Sequence, residues 1–238
     1  MTDRSADAAG GRHLTLFDLD HTLLPIDSDH AFGEFMARHG YVDATLQRER
    51  NDAFYAAYQA GTLDIAEYVA FITAPLRGLP AAELATLQRG FMEEMIAPVL
   101  RPVALRLVAE HQARGDLVAI ITATNEFVTR PIAAAFGVAE LLAVELERDA
   151  GGNITGRIHG VPTFREGKVL RTEQWLAARG TGWSGFGRVS VYSDSSNDLP
   201  LLERATDPVA TNPVPALEAL ARQRGWRVLR LFDDQTTD

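Results

Sequence analysis

The sequence predicts an α/β fold: a mostly parallel sheet with helices on both faces, interrupted after its first strand by an all-helical insertion. Two observations carry this expectation. From residue 117 onward, short β-type apolar runs alternate with helical patterns, the rhythm of strand–helix–strand crossovers in a parallel sheet. The first apolar run, Leu14–Phe17, is separated from the second, Leu117–Thr122, by a long and almost wholly helical stretch. One crossover needs on the order of a dozen residues, so the surplus is an inserted module.

Each element has its own signal. Leu14–Phe17 reads as a short buried strand. Phe32, Phe35 and Met36 mark one apolar helical face. Phe54, Tyr55 and Tyr58 mark a second, stopped at Gly61. Ile65, Tyr68, Val69 and Ile72 mark a third, closing toward Pro75 and Gly78. Leu79-Pro80 starts a fourth helix carrying Leu84, Leu87 and Phe91, and Pro102 opens a helix that ends at Gly115. Beyond Thr122 come a helix to Gly137, a β-rich run over Ala143–Glu147, a hairpin connection at Ala150–Asn153 and a strand at Ile154–Ile158. A helix over Lys168–Ala178, a strand at Val189–Tyr192, a short helix at Leu199–Arg204, a strand at Pro208–Ala210, a helix at Ala216–Arg222 and a last strand at Arg227–Leu231 complete the series. The organisation expected is a discontinuous α/β core over 13–26 and 100–232, a helical domain over 27–99, and disordered tails at 1–12 and 233–238.

Composition narrows the function classes. Hydrophobic residues make up 46% and charged residues 23% of the 238, an ordinary globular balance. The net charge of −9, with no block of Lys and Arg, argues against nucleic acid or an anionic membrane as partner. The absence of cysteine excludes disulfides, thiolate metal sites and cysteine nucleophiles. The N-terminal residues lack an apolar signal core, and no apolar stretch approaches the roughly 18–20 residues that span a bilayer. A soluble, cytoplasmic protein acting on a small molecule is expected.

The chemistry concentrates at strand ends. The first strand delivers Asp18 and Asp20 into a turn, and side-chain alternation puts both on one face if the extended geometry persists. Two carboxylates held close invite either a divalent cation or a shared proton. The second strand ends at Thr122, and the strand from Val189 ends in Ser193-Asp194-Ser195-Ser196-Asn197-Asp198. In an open parallel sheet such ends converge on the ligand site.

These motifs, Asp18-Leu19-Asp20-His21-Thr22, the apolar strand ending in Thr122, Lys168 within Glu166-Gly167-Lys168-Val169, and the Ser193–Asp198 segment, occur in an order and spacing that resembles the haloacid dehalogenase superfamily of phosphatases, in particular its phosphoserine-phosphatase-like branch. The resemblance spans residues 14 to about 210. It implies a Rossmann-like core and makes the helical insertion a cap domain that closes over the site. It also implies Mg²⁺, which offsets the repulsion between an anionic ester and an anionic nucleophile. Asp18 is then the nucleophile that forms an aspartyl-phosphate. Asp20 protonates the leaving oxygen and later activates water, and its backbone carbonyl joins Asp18 and Asp194 on the metal. Asp198 supports them from behind, unless it only caps the Leu199 helix. Thr122, Ala123 and Lys168 hold the phosphate, and Asn197 contacts the phosphate or the metal's water. Thr22 is either a turn hydroxyl or a ligand, and His21 sits at the rim.

Specificity lies in the insertion. Phosphoserine phosphatases carry a Glu nine residues after the nucleophile that meets the substrate ammonium; Asp27 stands at that position. Alignment through Gly61 and Leu79-Pro80 puts Ile72 where the family has an arginine for the substrate carboxylate. An apolar side chain there would leave that group unpaired, at a cost of roughly 2–5 kcal/mol. Ala123-Thr124-Asn125 also replaces the Gly-Gly of the family. These departures disfavour phosphoserine and favour an amino-alcohol phosphate of the histidinol-phosphate type, met by the acidic entrance Asp27-Ser28-Asp29. In the blander reading, Asp27 and Asp29 merely cap a helix beginning near His30. A phosphotransferase using the same intermediate, and a non-catalytic phosphometabolite-binding protein, are the competing functions; the intact Asp18, Asp20 and Asp194 speak against the second.

Overall fold

The computed structural model describes residues 11–232; of the expected tails at 1–12 and 233–238, all but residues 11 and 12 lie outside the described residues. Arg12, expected in the leader, accepts a hydrogen bond from Gly187 N at 3.0 Å through its carbonyl and lays its guanidinium over Phe186. Among the described residues the sheet has six strands in the order β3-β2-β1-β6-β7-β8. These are β1 (His13–Phe17), β2 (Leu117–Asn125), β3 (Glu140–Val144), β6 (Arg188–Ser193), β7 (Asp207–Thr211) and β8 (Arg227–Leu229), every neighbouring pair parallel. The expected α/β architecture is present.

β1 is central because both its faces are apolar. Leu14 and Leu16 enter one hydrophobic cluster with Leu176, Leu201 and Leu217, which lie on α7 (Glu166–Ala177), α8 (Leu199–Leu202) and α9 (Pro215–Arg224). Phe17 enters the other, with Val108 on α5 (Pro102–Ala113) and Ile132 on α6 (Glu126–Ala135). Burial on both faces is what a parallel sheet covered by crossover helices requires.

Two expected strands have different limits. The Ala143–Glu147 run is divided: β3 ends at Val144, and β4 (Leu146–Arg148) leaves the main sheet to pair antiparallel with β5 (Ile154–Ile158). Asp149 Oδ1 closes the intervening turn by accepting from Gly151 N at 2.8 Å and Asn153 N at 2.9 Å. β2 runs three residues beyond Thr122, past a register shift between Ile121 and Asn125 against β3. That irregularity re-aims the end of the strand.

The helices between β1 and β2 follow their sequence signals. α1 (Ser28–Arg38), α2 (Ala44–Ala60) and α3 (Ile65–Ile72) are each opened by an Asp, at 27, 43 and 64, whose side chain accepts a first-turn N–H. α2 stops at Gly61 with φ 70°, a left-handed turn suited to glycine. α4 (Ala81–Phe91) continues through a π-helical turn at Met92–Ile96. α1 and α4 pack on the core: Phe32 meets Phe91 edge-on at 5.2 Å and Phe127 of α6 at 5.9 Å. α2 and α3 form the outer pair, joined by Phe54 against Tyr68 and Phe71.

A buried polar network lies under the opposite, amino-terminal end of the sheet. His111 Nδ1 is 2.6 Å from Asp116 Oδ2 and its Nε2 is 2.8 Å from the Tyr192 hydroxyl, to which Arg227 donates at 3.0 Å. Burial lowers the pKa of His111, against the partly restoring Asp116 carboxylate. The folded ring therefore binds a proton less readily than the unfolded one. Its contribution to stability is intact above the ordinary histidine value of 6.5 and is withdrawn as the pH falls below it. An NMR titration is expected to place the His111 ring below 6.5, and Asp116→Asn to lower it further.

Candidate functional site

The carboxyl end of β1 builds the centre of the site. Asp18 N donates to Tyr192 O at 2.9 Å, which carries the pairing with β6 one residue past the strand. The chain then turns sharply instead of staying extended. The Leu19 carbonyl accepts from Thr22 N, Leu23 N and Leu24 N, while the Leu19, Leu23 and Leu24 side chains are fully buried. His21 takes a φ of 55° at this turn. Asn212 Nδ2, arriving from the end of β7, donates to the carbonyls of His21 at 2.9 Å and Thr22 at 3.2 Å.

This turn separates the tasks of the two aspartates. Both line a cavity of about 520 Å³, with Thr122, Ala123, Lys168, Asp194 and Asn197, but they face different partners. Asp18 Oδ1 accepts from Lys168 Nζ at 2.9 Å, and the same ammonium donates to Asp198 Oδ2 at 2.7 Å. Asp20 Oδ1 accepts from Ser28 N at 2.8 Å and its Oδ2 from Thr124 Oγ1 at 2.9 Å. The shared face expected for an extended Asp18-Leu19-Asp20 is thus replaced by a turn that aims both into one cavity from different angles.

Burial dominates the electrostatics. It raises the pKa of Asp18, reinforced by Asp198 and opposed by Lys168. It raises Asp194 well above the carboxylate range, aided by the charges of Asp18 and Asp198 and opposed by a Thr22 hydrogen bond. Asp20 is pushed up to about 7 by burial and Asp27, against the Ser28 hydrogen bonds. Burial alone would discharge Lys168, but Asp18 and Asp198 outweigh it and hold the ammonium protonated well above its ordinary range. Among the described residues no three His, Asp or Glu side chains converge as a metal cage. What converges is the pair Asp18 and Asp194, within hydrogen-bonding reach of each other. Two buried oxygen donors whose charges repel are the chemistry that a hard divalent cation, or a shared proton, relieves.

The remaining expected residues fall into place unevenly. Asp198 makes no capping hydrogen bond to the Leu199 helix; it accepts from Lys168 and, at 2.7 Å, from Ser193 Oγ. Thr22 is fully buried, donates to Asp194 Oδ1 at 3.1 Å and accepts from Asp194 N at 3.0 Å. His21 lines the cavity. Asn197 lines it too, yet its amide is engaged with the helical segment: Nδ2 donates to Tyr58 O at 3.0 Å, and Arg165 Nε donates to its Oδ1 at 3.2 Å. Asp27 is the N-cap of α1, accepting from His30 N at 2.8 Å. Asp29 is no cap: it is 3% exposed, lines the cavity and accepts from Asn125 Nδ2 at 3.1 Å.

Ile72 requires correction. It is 3% exposed within the main apolar cluster and does not line the cavity. Ile65 and Tyr68 on α3 do so instead. Ile72 shares their helical face but lies seven residues past Ile65, about 10 Å along the axis, which carries it into the core. Sequence reasoning missed Thr124, Asn125 and Ser193 as supports, and it read Phe54, Tyr55, Tyr58 and Tyr68 only as packing faces. Their signal was the hydroxyls: a purely apolar face would not favour three tyrosines on two adjacent helices. Tyr58 also donates to Ser195 Oγ at 3.2 Å, tying α2 to the loop after β6.

The strand ends of a parallel sheet thus gather buried carboxylates and one lysine on a single cavity beneath a helical segment. Residues 15–203 match the model of the haloacid dehalogenase-like hydrolases, and the chain belongs to that family. It is 43% identical over 218 residues to a histidinol-phosphatase of Neisseria meningitidis serogroup C (strain 8013), covering 92% of this chain and 98% of that one. It is 31% identical over 215 residues to phosphoserine phosphatase SerB1 of Mycobacterium tuberculosis (strain ATCC 25618 / H37Rv), covering 89% of this chain and 68% of that one. A crystal structure of a protein of unknown function from Bordetella pertussis Tohama I superposes with a TM-score of 0.88 at 48% identity, over 93% of this chain and all of that one. A substrate-bound phosphoserine phosphatase shares the fold, with a TM-score of 0.64 at 17% identity and 91% of each chain covered. The chain is an enzyme of a phosphatase-containing hydrolase family.

Replacing Thr22 by Val removes both links to Asp194 at nearly constant volume. The expected loss is about 1–3 kcal/mol of unfolding free energy, read by urea denaturation.

Proposed function

We propose that the protein is a Mg²⁺-dependent phosphomonoester hydrolase acting through an aspartyl-phosphate on Asp18, with an amino-alcohol phosphate of the histidinol-phosphate type as substrate. The observation that carries the substrate is the 43% identity, over 98% of its length, to a protein named histidinol-phosphatase. The chemistry is supported by the placement of Asp18, Asp20, Asp194 and Lys168 on one cavity.

In this reading Asp18 attacks phosphorus, and the leaving alkoxide takes its proton from Asp20. A carboxyl pushed up to about 7 can hold that proton at neutral pH and give it up readily. Once the alcohol has left, the same carboxylate draws a proton from the water that hydrolyses the acyl phosphate. Lys168, kept charged by Asp18 and Asp198, faces the phosphoryl oxygens with Thr122 and Ala123. Asn197 adds a contact only if its amide exchanges partners with Tyr58 and Arg165. Asp18, Asp194 and the backbone carbonyl of Asp20 would hold Mg²⁺, which supplies charge neutralisation between nucleophile and ester. The 27–99 segment serves as the cap over a core of 13–26 and 100–232, and the reaction is placed in the cytoplasm on a small phosphate ester.

Asp18→Asn is expected to lower turnover at least ~1,000-fold without unfolding the protein, and EDTA to abolish activity that added Mg²⁺ restores. Histidinol phosphate is expected to exceed phosphoserine in kcat/KM by at least ~100-fold. Efficient phosphoserine hydrolysis, or activity surviving Asp18→Asn, would defeat this assignment.

A further inference from the structure

Asp29 is buried beyond what its place on the helix requires. It lies in the first turn of α1, where Asp27 already provides the cap, and it faces the cavity at 3% exposure. Its surroundings define it as an acceptor. Asn125 Oδ1 is committed to Phe127 N at 3.1 Å and Val128 N at 3.3 Å, so its Nδ2 must point at Asp29. The Tyr68 hydroxyl lies within hydrogen-bonding reach of the same carboxylate. Both partners are neutral. Among the described residues no Lys, Arg or His forms an ion pair with Asp29; the neighbouring His30 lies 3.9 Å from Glu34 instead. Burial, with the charges of Asp27 and Asp20, raises the Asp29 pKa well above the usual range. Ionisation of a buried carboxyl that faces a cavity without a countercharge is promoted by a ligand that brings one.

We propose that Asp29, oriented by Asn125 and Tyr68, receives the ammonium group of the substrate and thereby selects phosphate esters of vicinal amino alcohols. This rests on the phosphatase reading above and assigns the group that sets its specificity. The placement agrees: Thr124 holds Asp20, the group beside the ester oxygen, the next residue, Asn125, holds Asp29, and both carboxylates line the same cavity. Asp27 is the weaker receptor, because it is only half-buried and its charge is screened by solvent. A substrate carboxylate would instead meet Asp27 and Asp29 with no arginine among the cavity residues, which disfavours phosphoserine.

The test compares substrate pairs that differ only in the amine: histidinol phosphate against 3-(imidazol-4-yl)propyl phosphate, and phosphoethanolamine against ethyl phosphate, each with the full chain and Mg²⁺. The wild type is expected to prefer the amine-bearing member by at least ~10-fold in kcat/KM, mainly through KM, and Asp29→Asn to erase most of that preference. Asp27→Asn is expected to reduce it less. Equal loss on both members of a pair would make Asp29 merely structural, and a larger effect of Asp27→Asn would move the receptor there; either overturns the proposal. If Asp29→Asn does not fold, the wild-type ratios still decide, since no amine preference in either pair also overturns it. A wild type inactive on histidinol phosphate, yet preferring phosphoethanolamine, would refute the histidinol reading while leaving the Asp29 assignment standing.

Discussion

The site depends on one buried ammonium. Lys168 is 2% exposed and bridges Asp18 and Asp198, with Asp194 beside them. Without that charge, three carboxylates from two strand ends would share a desolvated space, and burial would drive them to the neutral form. The lysine comes from the first turn of α7, which packs on the opposite side of the sheet from α5 and α6. The cluster therefore exists only where the crossover helix, β1 and β6 meet in register. Fold and charge balance are one constraint here.

Around this centre the helical segment is anchored unequally. α1 and α4 are continuous with the core through Phe32, Phe91 and Phe127. α2 reaches the site through polar contacts, Tyr58 to Ser195 and Asn197, with Arg165 packed against Gly61, where a Cβ would meet its guanidinium. Apolar packing fixes the base of the segment. Exchangeable hydrogen bonds hold the part that overhangs the cavity.

Much of this was legible in the residues. The apolar runs located the strands, and Pro, Gly and Asp marked helix ends, because these signals are local. Asp18, Asp20, Thr122, Lys168, Asp194 and Asn197 line one cavity because strand ends converge by topology. The division at Glu145 was not legible, since nothing local tells a run that stays in a sheet from one that leaves it. Ile72 failed for a related reason: helical spacing gives the face of a residue, but not how far along the axis the cavity extends. Thr124 and Asn125 were noticed only as departures from a glycine pair, whereas their side chains fasten Asp20 and Asp29. The dual use of the α2 and α3 tyrosines, packing through the ring and polar contact through the hydroxyl, needed the tertiary fold to appear.

The irregular end of β2 has an evolutionary consequence. Within four residues, Thr122, Thr124 and Asn125 each touch a different part of the cavity or its supports. Their spacing acts as a ruler, so that any insertion or deletion there displaces all three at once. The hairpin turn between β4 and β5, closed by Asp149 on itself, has no such obligation. Length variation among relatives should thus be tolerated at that turn and purged from the end of β2, while substitutions along β2 change one contact of the cavity or its supports at a time.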